Sequence, residues 1–251
     1  EYHGKLHCIR IRDDTVQHQY LKLVERYNEE LGAQVKEKTA RLMEVQNDII
    51  VSMASIVENR DNNTGGHIRR TSDVVRVFVE HLLATDYSPA LTRENAERII
   101  KAAPLHDFGK IAIPDSILNK PGKFVPEEYE VMKLHAQKGA GIVARILQNS
   151  DDLQFKNIAV NVAHYHHERW DGTGYPCGLV QEEIPLEARI MALSDVFDAL
   201  VSERVYKEQF SYDKAFGIIE ESSDSHFDPS LCRAFLQCRL KIETLYNCNM
   251  D

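Results

Sequence analysis

His106 and Asp107 stand side by side in a stretch otherwise rich in apolar helix formers, and His135, the pair His166-His167 and Asp195 follow them. Imidazole nitrogen and carboxylate oxygen are the donors that borderline and hard divalent cations accept. A buried carboxylate without a partner costs several kcal/mol, whereas a metal ion gives both side chains a reason to be inside. One adjacent pair could be an accident. Two adjacent pairs with a separate His and a separate Asp read as a binuclear metal site. Because no Cys joins the set, iron, manganese, zinc or nickel suits it better than a soft-metal centre.

The chemistry follows from geometry. Neighbouring residues on a helix point about 100° apart, so a His-Asp pair can reach two adjacent ions, with the carboxylate bridging them. Two ions about 3.5–4 Å apart hold a hydroxide between them and clamp the oxygens of an in-line phosphoryl displacement. Lys110 stands three residues after Asp107. If the helix continues, it lies one turn on and can neutralise a phosphate oxygen as charge develops.

These groups need elements to hold them. From about Thr15 to Asn59 the chain is strongly helical in pattern: Leu21, Asn28, Val35, Leu42, Ile49 and Ile56 recur every seven residues, with Val24, Leu31 and Val45 on the complementary seam. Lys38 and Ser52 interrupt the second seam, and Asn28 interrupts the first. Two readings fit, a stalk that pairs as a coiled coil and a long amphipathic helix lying on its own domain. From Ile56 onward helix follows helix. Gly65-Gly66 opens one that carries His67 to about Ala84, Ser88-Pro89 breaks it, and Thr92 caps the next. Pro126 with Glu127 and Glu128 starts the helix that brings in His135. The glycines and prolines between Trp170 and Pro185 make a loop, and helices resume at Leu186 to carry Asp195 and Arg204. Period-two alternation is nearly absent, so the fold class is all-α.

Composition narrows the function. A chain of 251 residues buries one substantial core with length left for an appendage. A formal net charge of -9 argues against general nucleic-acid binding, while leaving room for a small phosphate ligand held by local cations and metal. The apolar run from Ile49 to Val57 is too short to span a bilayer. Five cysteines without a CxxC pair fit a reduced, cytoplasmic compartment. The chain begins at Glu1 rather than Met, which raises the expectation of a fragment of something longer.

Residues 56 to about 240 resemble the HD-GYP domain, the branch of the HD metal-dependent phosphohydrolases that degrades bacterial cyclic dinucleotides. The motifs are Arg60-Asp61 with Thr64-Gly65-Gly66-His67; His106-Asp107-Phe108-Gly109-Lys110; Lys133-Leu134-His135 with Gly139; His166-His167-Glu168 with Asp171-Gly172-Thr173-Gly174-Tyr175-Pro176; Asp195-Val196-Phe197-Asp198-Ala199-Leu200; and Arg204-Val205-Tyr206-Lys207. HD alone is a weak signal; the ordered set is very specific. The resemblance implies an HD-domain helical bundle over 56–245; the pattern before it gives a helical stalk over 15–55, and a short strand at Leu6 to Ile11 leads to the expectation that residues 1–14 are the remnant of an upstream domain. It implies His67, His106, Asp107, His135, His166, His167 and Asp195 as metal ligands. Asp107 and Lys110 would be catalytic, and Lys110, Tyr175, Arg204 and Lys207 would contact substrate. The implied cofactors are two divalent ions, iron or manganese first and nickel or zinc after them.

Some family members carry a glutamate four residues before the first ligand histidine, where it helps hold a third metal. Asn63 stands there in this chain. The expectation is therefore a two-metal site in which a metal-bridged hydroxide cleaves cyclic di-GMP mainly to linear pGpG. Rival readings are hydrolysis of cyclic GMP-AMP and a module that binds the dinucleotide or docks on a diguanylate cyclase with little catalysis. The expected partners are a second copy through the N-terminal helix and an upstream receiver or sensor domain. Glu168 is expected to orient a ligand histidine, and Asp198 either to do likewise or to lie on a plain helix surface. His81, His164 and His226 are expected to be structural or solvent-facing, with His226 opening a His-Phe-Asp-Pro turn that packs and caps.

Overall fold

The computed structural model describes residues 15–60, 66–85, 87–88, 91–202 and 209–248. Ten α-helices are formed among them: α1 (Thr15–Arg60), α2 (His67–Ala84), α3 (Arg93–Ala102), α4 (Asp115–Leu118), α5 (Pro126–Ile146), α6 (Leu153–Tyr165), α7 (Leu186–Val201), α8 (Tyr212–Glu221), α9 (Pro229–Gln237) and α10 (Arg239–Cys248). Short 3₁₀ segments cover Ala103–Leu105, Phe108–Ala112 and Gln181–Glu183. No strand forms among the described residues beyond two isolated bridges, so the architecture is all-α as the periodicity implies. The chain divides into two compact units, Glu1–Asp48 and Ile49–Asp251.

In the first unit the described residues, 15–48, are all helix, and every side chain up to Gln46 is exposed. In the second unit, the last turns of α1 bury Ile50, Ala54 and Val57 in the core.

Local sequence sets the boundaries. Gly66 caps α2 with φ 99, a left-handed conformation that costs glycine nothing. Thr92 accepts from the Asn95 N–H to start α3, and Asp152 accepts from the Phe155 N–H to start α6. At α5, Pro126 occupies the first turn while Glu128 accepts from the Val125 N–H at 2.9 Å. Asp228 accepts from the Ser230 and Leu231 N–H groups, so the turn after His226 caps α9 as its sequence implies.

The core beneath the site is aromatic. Phe78 on α2 meets Phe235 on α9 edge to face at 5.0 Å, and Phe197 on α7 packs on Phe216 on α8 at 4.7 Å. Such pairs add about 0.5–1.5 kcal/mol each beyond their buried area. Phe235 also meets Phe197 at 5.6 Å, so α9 ties α2 to α7, the helices that carry His67 and Asp195. Among the described residues no helix is long and apolar enough to cross a membrane.

Candidate metal centre

His106 and Asp107 lie on a turn between two 3₁₀ segments rather than inside a continuing α-helix. Asp107 has φ -96 and ψ 10, in the sparsely populated bridge region where many active-site residues sit. The 3₁₀ helix has three residues per turn, so Lys110 still returns over Asp107. Its Nζ is 2.7 Å from Asp107 Oδ2. Arg60, at the end of α1, ties this segment down by donating to the carbonyls of Ile111 (2.6 Å) and Ile113 (3.1 Å).

Two ligand sets converge on one carboxylate. Asp107, His135, His166 and His167 form one group able to hold a metal ion, and His67, His106 and Asp107 form the other. Asp107 belongs to both, so one carboxylate would serve either group. Asp195 joins the second group, its Oδ1 3.4 Å from His67 Nε2 and 3.9 Å from His106 Nε2. All seven residues expected to ligate metal are thus gathered in one place, from α2, the HD turn, α5, the end of α6 and α7.

The imidazoles are oriented for this. The Nδ1 atoms of His106, His135 and His166 donate to the carbonyls of Ala103 (2.9 Å), Met132 (2.7 Å) and Val162 (2.9 Å), each within the ring's own turn. His67 Nδ1 donates to Asp198 Oδ2 at 2.7 Å. With the proton on Nδ1, the lone pair lies on Nε2, and all four Nε2 atoms face the cluster. The Nε2 atoms of His135 and His166 are buried and have no hydrogen-bond partner. A buried acceptor left unpaired costs about 1–3 kcal/mol, and a cation at the shared carboxylate satisfies both. The residues present therefore fit a pair of divalent ions.

Electrostatics agree for His135 and His167, while His106 without a cation beside it is held charged by its carboxylate neighbours. Burial lowers His135 to about 4 and His167 well below its ordinary value, leaving both neutral as ligands must be. Burial lowers His106 too, but the facing carboxylates of Asp107 and Asp195 outweigh it and hold the ring at about 8. Burial raises Asp107, yet Lys110 and then His106 hold its carboxyl well below the usual range. Asp198 is likewise lowered, burial being overcome by hydrogen bonds from His67 and Arg70.

Tyr175 lies tilted over His167 with ring centroids 4.7 Å apart and 6.3 Å from His135, so its ring borders the cluster. Burial raises its phenol pKa, which keeps the hydroxyl protonated. Arg204 and Lys207 lie outside the described residues, as do Asn63 and residues 1–14. His81 contacts Gln237 at the surface, and His164 lies beside Tyr165, apart from the two ligand sets.

One expectation is corrected. Glu168 does not orient a ligand histidine: its carboxylate, 2 % exposed, accepts from the backbone N–H groups of Cys177 (2.7 Å) and Leu179 (3.1 Å). It anchors the Gly-Tyr-Pro loop, whose two amides have no ladder to satisfy them. Asp198 does orient one of the expected ligands, accepting from His67 Nδ1. The backbone N–H of His67 in turn donates to Glu58 Oε1 at 2.6 Å, so a carboxylate from α1 caps α2 across the gap in sequence. Only the proximity of Glu58 to His67 in sequence hinted at this, and Arg70 carried no signal at all.

A bundle of helices with a shared-carboxylate His/Asp cluster is the architecture of a metal-dependent phosphohydrolase domain. The chain belongs to the HD domain family, in its HD-GYP branch: the HD domain model matches residues 51–231. It is 52% identical over 188 residues to a cyclic di-GMP phosphodiesterase of Vibrio cholerae, covering 74% of this chain and 38% of that protein. It is 39% identical over 237 residues to the cyclic di-GMP phosphodiesterase response regulator RpfG of Xanthomonas campestris, covering 94% of this chain and 57% of the relative. The chain thus spans less than two thirds of these relatives. The crystal structure of a cyclic GMP-AMP specific phosphodiesterase of V. cholerae superposes with a TM-score of 0.57 at 19% identity, over 80% of this chain and 50% of that one.

Proposed function

We propose that the chain hydrolyses cyclic di-GMP, mainly to linear pGpG, at a centre of two divalent ions, iron or manganese before nickel or zinc. The observation that carries this reading is the single carboxylate, Asp107, shared by two sets of inward-facing imidazoles. When bound, a pair of divalent ions supplies Lewis acidity and a nucleophile drawn from water at neutral pH. His67, His106 and Asp195 would hold one ion, His135, His166 and His167 the other, and Asp107 both. Lys110, already against Asp107, offers its ammonium to a phosphate oxygen as negative charge grows there. Tyr175 borders the bound dinucleotide, and Arg204 and Lys207 bring positive charge to its phosphates. The catalytic unit is residues 56–245.

Residues 15–55 act as a stalk that joins two copies in the cytoplasm. Exposed Leu21, Leu31, Val35 and Leu42 form the apolar seam that pairing would cover. An upstream receiver domain is supported by the likeness to a response regulator. A diguanylate cyclase is a further candidate partner. Cyclic GMP-AMP is the second substrate reading, supported by 36% identity over 196 residues to a 3′3′-cGAMP-specific phosphodiesterase of Vibrio cholerae.

Turnover of cyclic di-GMP and 3′3′-cyclic GMP-AMP side by side, with products separated by chromatography, tests the proposal. Faster turnover of cyclic di-GMP with pGpG accumulating supports it. Preference for cyclic GMP-AMP, rapid release of GMP, or tight binding without turnover each overturns the corresponding part.

A further inference from the structure

Asp198 sits one turn after Asp195 on α7 and is 1 % exposed, yet it touches far more than His67. Its Oδ1 accepts from Tyr246 OH (2.7 Å), Arg70 Nε (2.7 Å) and Ser202 Oγ (3.1 Å). Its Oδ2 accepts from His67 Nδ1 (2.7 Å) and Arg70 Nη2 (3.2 Å). Oδ1 is thus held entirely by donors other than the His67 imidazole, which leaves Oδ2 aimed at that imidazole. Tyr246 belongs to α10, near the end of the described chain, is 6 % exposed, and packs edge to face on Phe197 at 5.8 Å. A buried phenol needs a partner for its hydroxyl, and Asp198 is the one it has.

We infer that Tyr246 is a positioning residue of the metal centre, acting through Asp198 to fix the tautomer and aim of His67. The inference rests on the metal-centre reading and extends it to the last helix. Partners that orient a ligand histidine typically change metal affinity about 10- to 100-fold when removed. Tyr246 stands one bond further out, and Arg70 stays in place, so the lower end applies. The effect falls on one ion only. The set of His67, His106 and Asp107 depends on the aim of His67, whereas His135 and His166 in the other set are oriented by backbone carbonyls of their own turns.

The test is titration of manganese(II) into metal-stripped wild type, Tyr246→Phe and Tyr212→Phe, followed by calorimetry and by the spin-coupled resonance signal of the ion pair. Tyr246→Phe keeps the ring in the core and removes only the hydroxyl. Tyr212→Phe is the control, because Tyr212 OH donates to Asn247 at the surface and so also ties α10 down. The expected result is two sites in wild type and in Tyr212→Phe. In Tyr246→Phe one of the two weakens about tenfold and the coupled signal is lost at equal metal, with the melting temperature of the metal-stripped protein close to wild type. Unchanged affinities in Tyr246→Phe, equal weakening at both sites, or the same loss in Tyr212→Phe overturns the role. A wild type that takes up no manganese sinks the metal centre itself, and this role with it.

Discussion

Gly109 and Gly139 bring the backbones of the HD segment and α5 together with no room for a side chain between them. A Cβ on Gly109 would lie 1.8 Å from the carbonyl oxygen of His135 and 2.5 Å from the Gly139 nitrogen. This approach lets His135, one turn before Gly139, point its Nε2 to within 3.4 Å of Asp107 Oδ1. Both glycines stand in the motifs beside the ligands, and they act by absence of bulk.

Gly109→Ala should therefore push α5 away from Asp107. Forcing extra volume against backbone costs about 3 kcal/mol or more, here a fall of roughly 6–12 °C in melting temperature for a domain of this size. Thermal unfolding with metal analysis checks it. A variant that melts with wild type and holds the same metal would show that the two segments separate freely.

Lys110→Met removes the charge beside Asp107 while leaving the stem to pack. If the ammonium stabilises developing phosphate charge, kcat falls about a hundredfold, the size of loss seen when one transition-state donor is deleted. Metal content should hold. Loss of metal with the activity would instead make Lys110 a structural partner of Asp107.

Much of this site was legible in the residues because donors of one kind recur at spacings that helices turn into a cluster. His67, His106, Asp107, His135, His166, His167 and Asp195 are all brought to it. Element boundaries were legible where capping is local, as at Gly66, Thr92, Pro126 and Asp228. What could not be read were partners joined through tertiary packing. Tyr246 and Asp198 meet across 48 positions, and nothing local in either marks the other. Glu168 misled because adjacency to His167 suggested the histidine as its partner, while the loop's unpaired amides made the stronger demand.

Glu168→Gln tests that demand. A carboxylate accepting two backbone N–H groups contributes about 1.5–3 kcal/mol for each charged hydrogen bond, and the amide can serve only one of them well. The loop carrying Tyr175 should loosen. A rise of several-fold in KM with metal retained is expected, and an unchanged KM would show that the loop is held elsewhere.

Stability should fall with acid through a window set by buried histidines. Burial, then the charge of Arg169, lowers His226 to about 4. The unfolded chain takes up its proton near the ordinary value of about 6.5, so between about 6.5 and 4 the unfolded state binds more protons and folding weakens as pH drops. Below about 4 both states are protonated and this contribution stops changing. Melting temperatures from pH 7.5 to 5 in the presence of a chelator should decline less steeply in His226→Gln. Part of the slope remains there, because His135 and His167 are depressed in the same direction. Parallel slopes in the two proteins would mean that His226 titrates freely when folded.

Counting divalent metal per chain by elemental analysis, in protein purified without air, comes nearest to the heart of the account when wild type and Asp107→Asn are compared. Two ions in wild type and a loss of occupancy at both positions from that single change are predicted, since one carboxylate serves both sets. One ion or none in wild type, or a variant that keeps both, would contradict it.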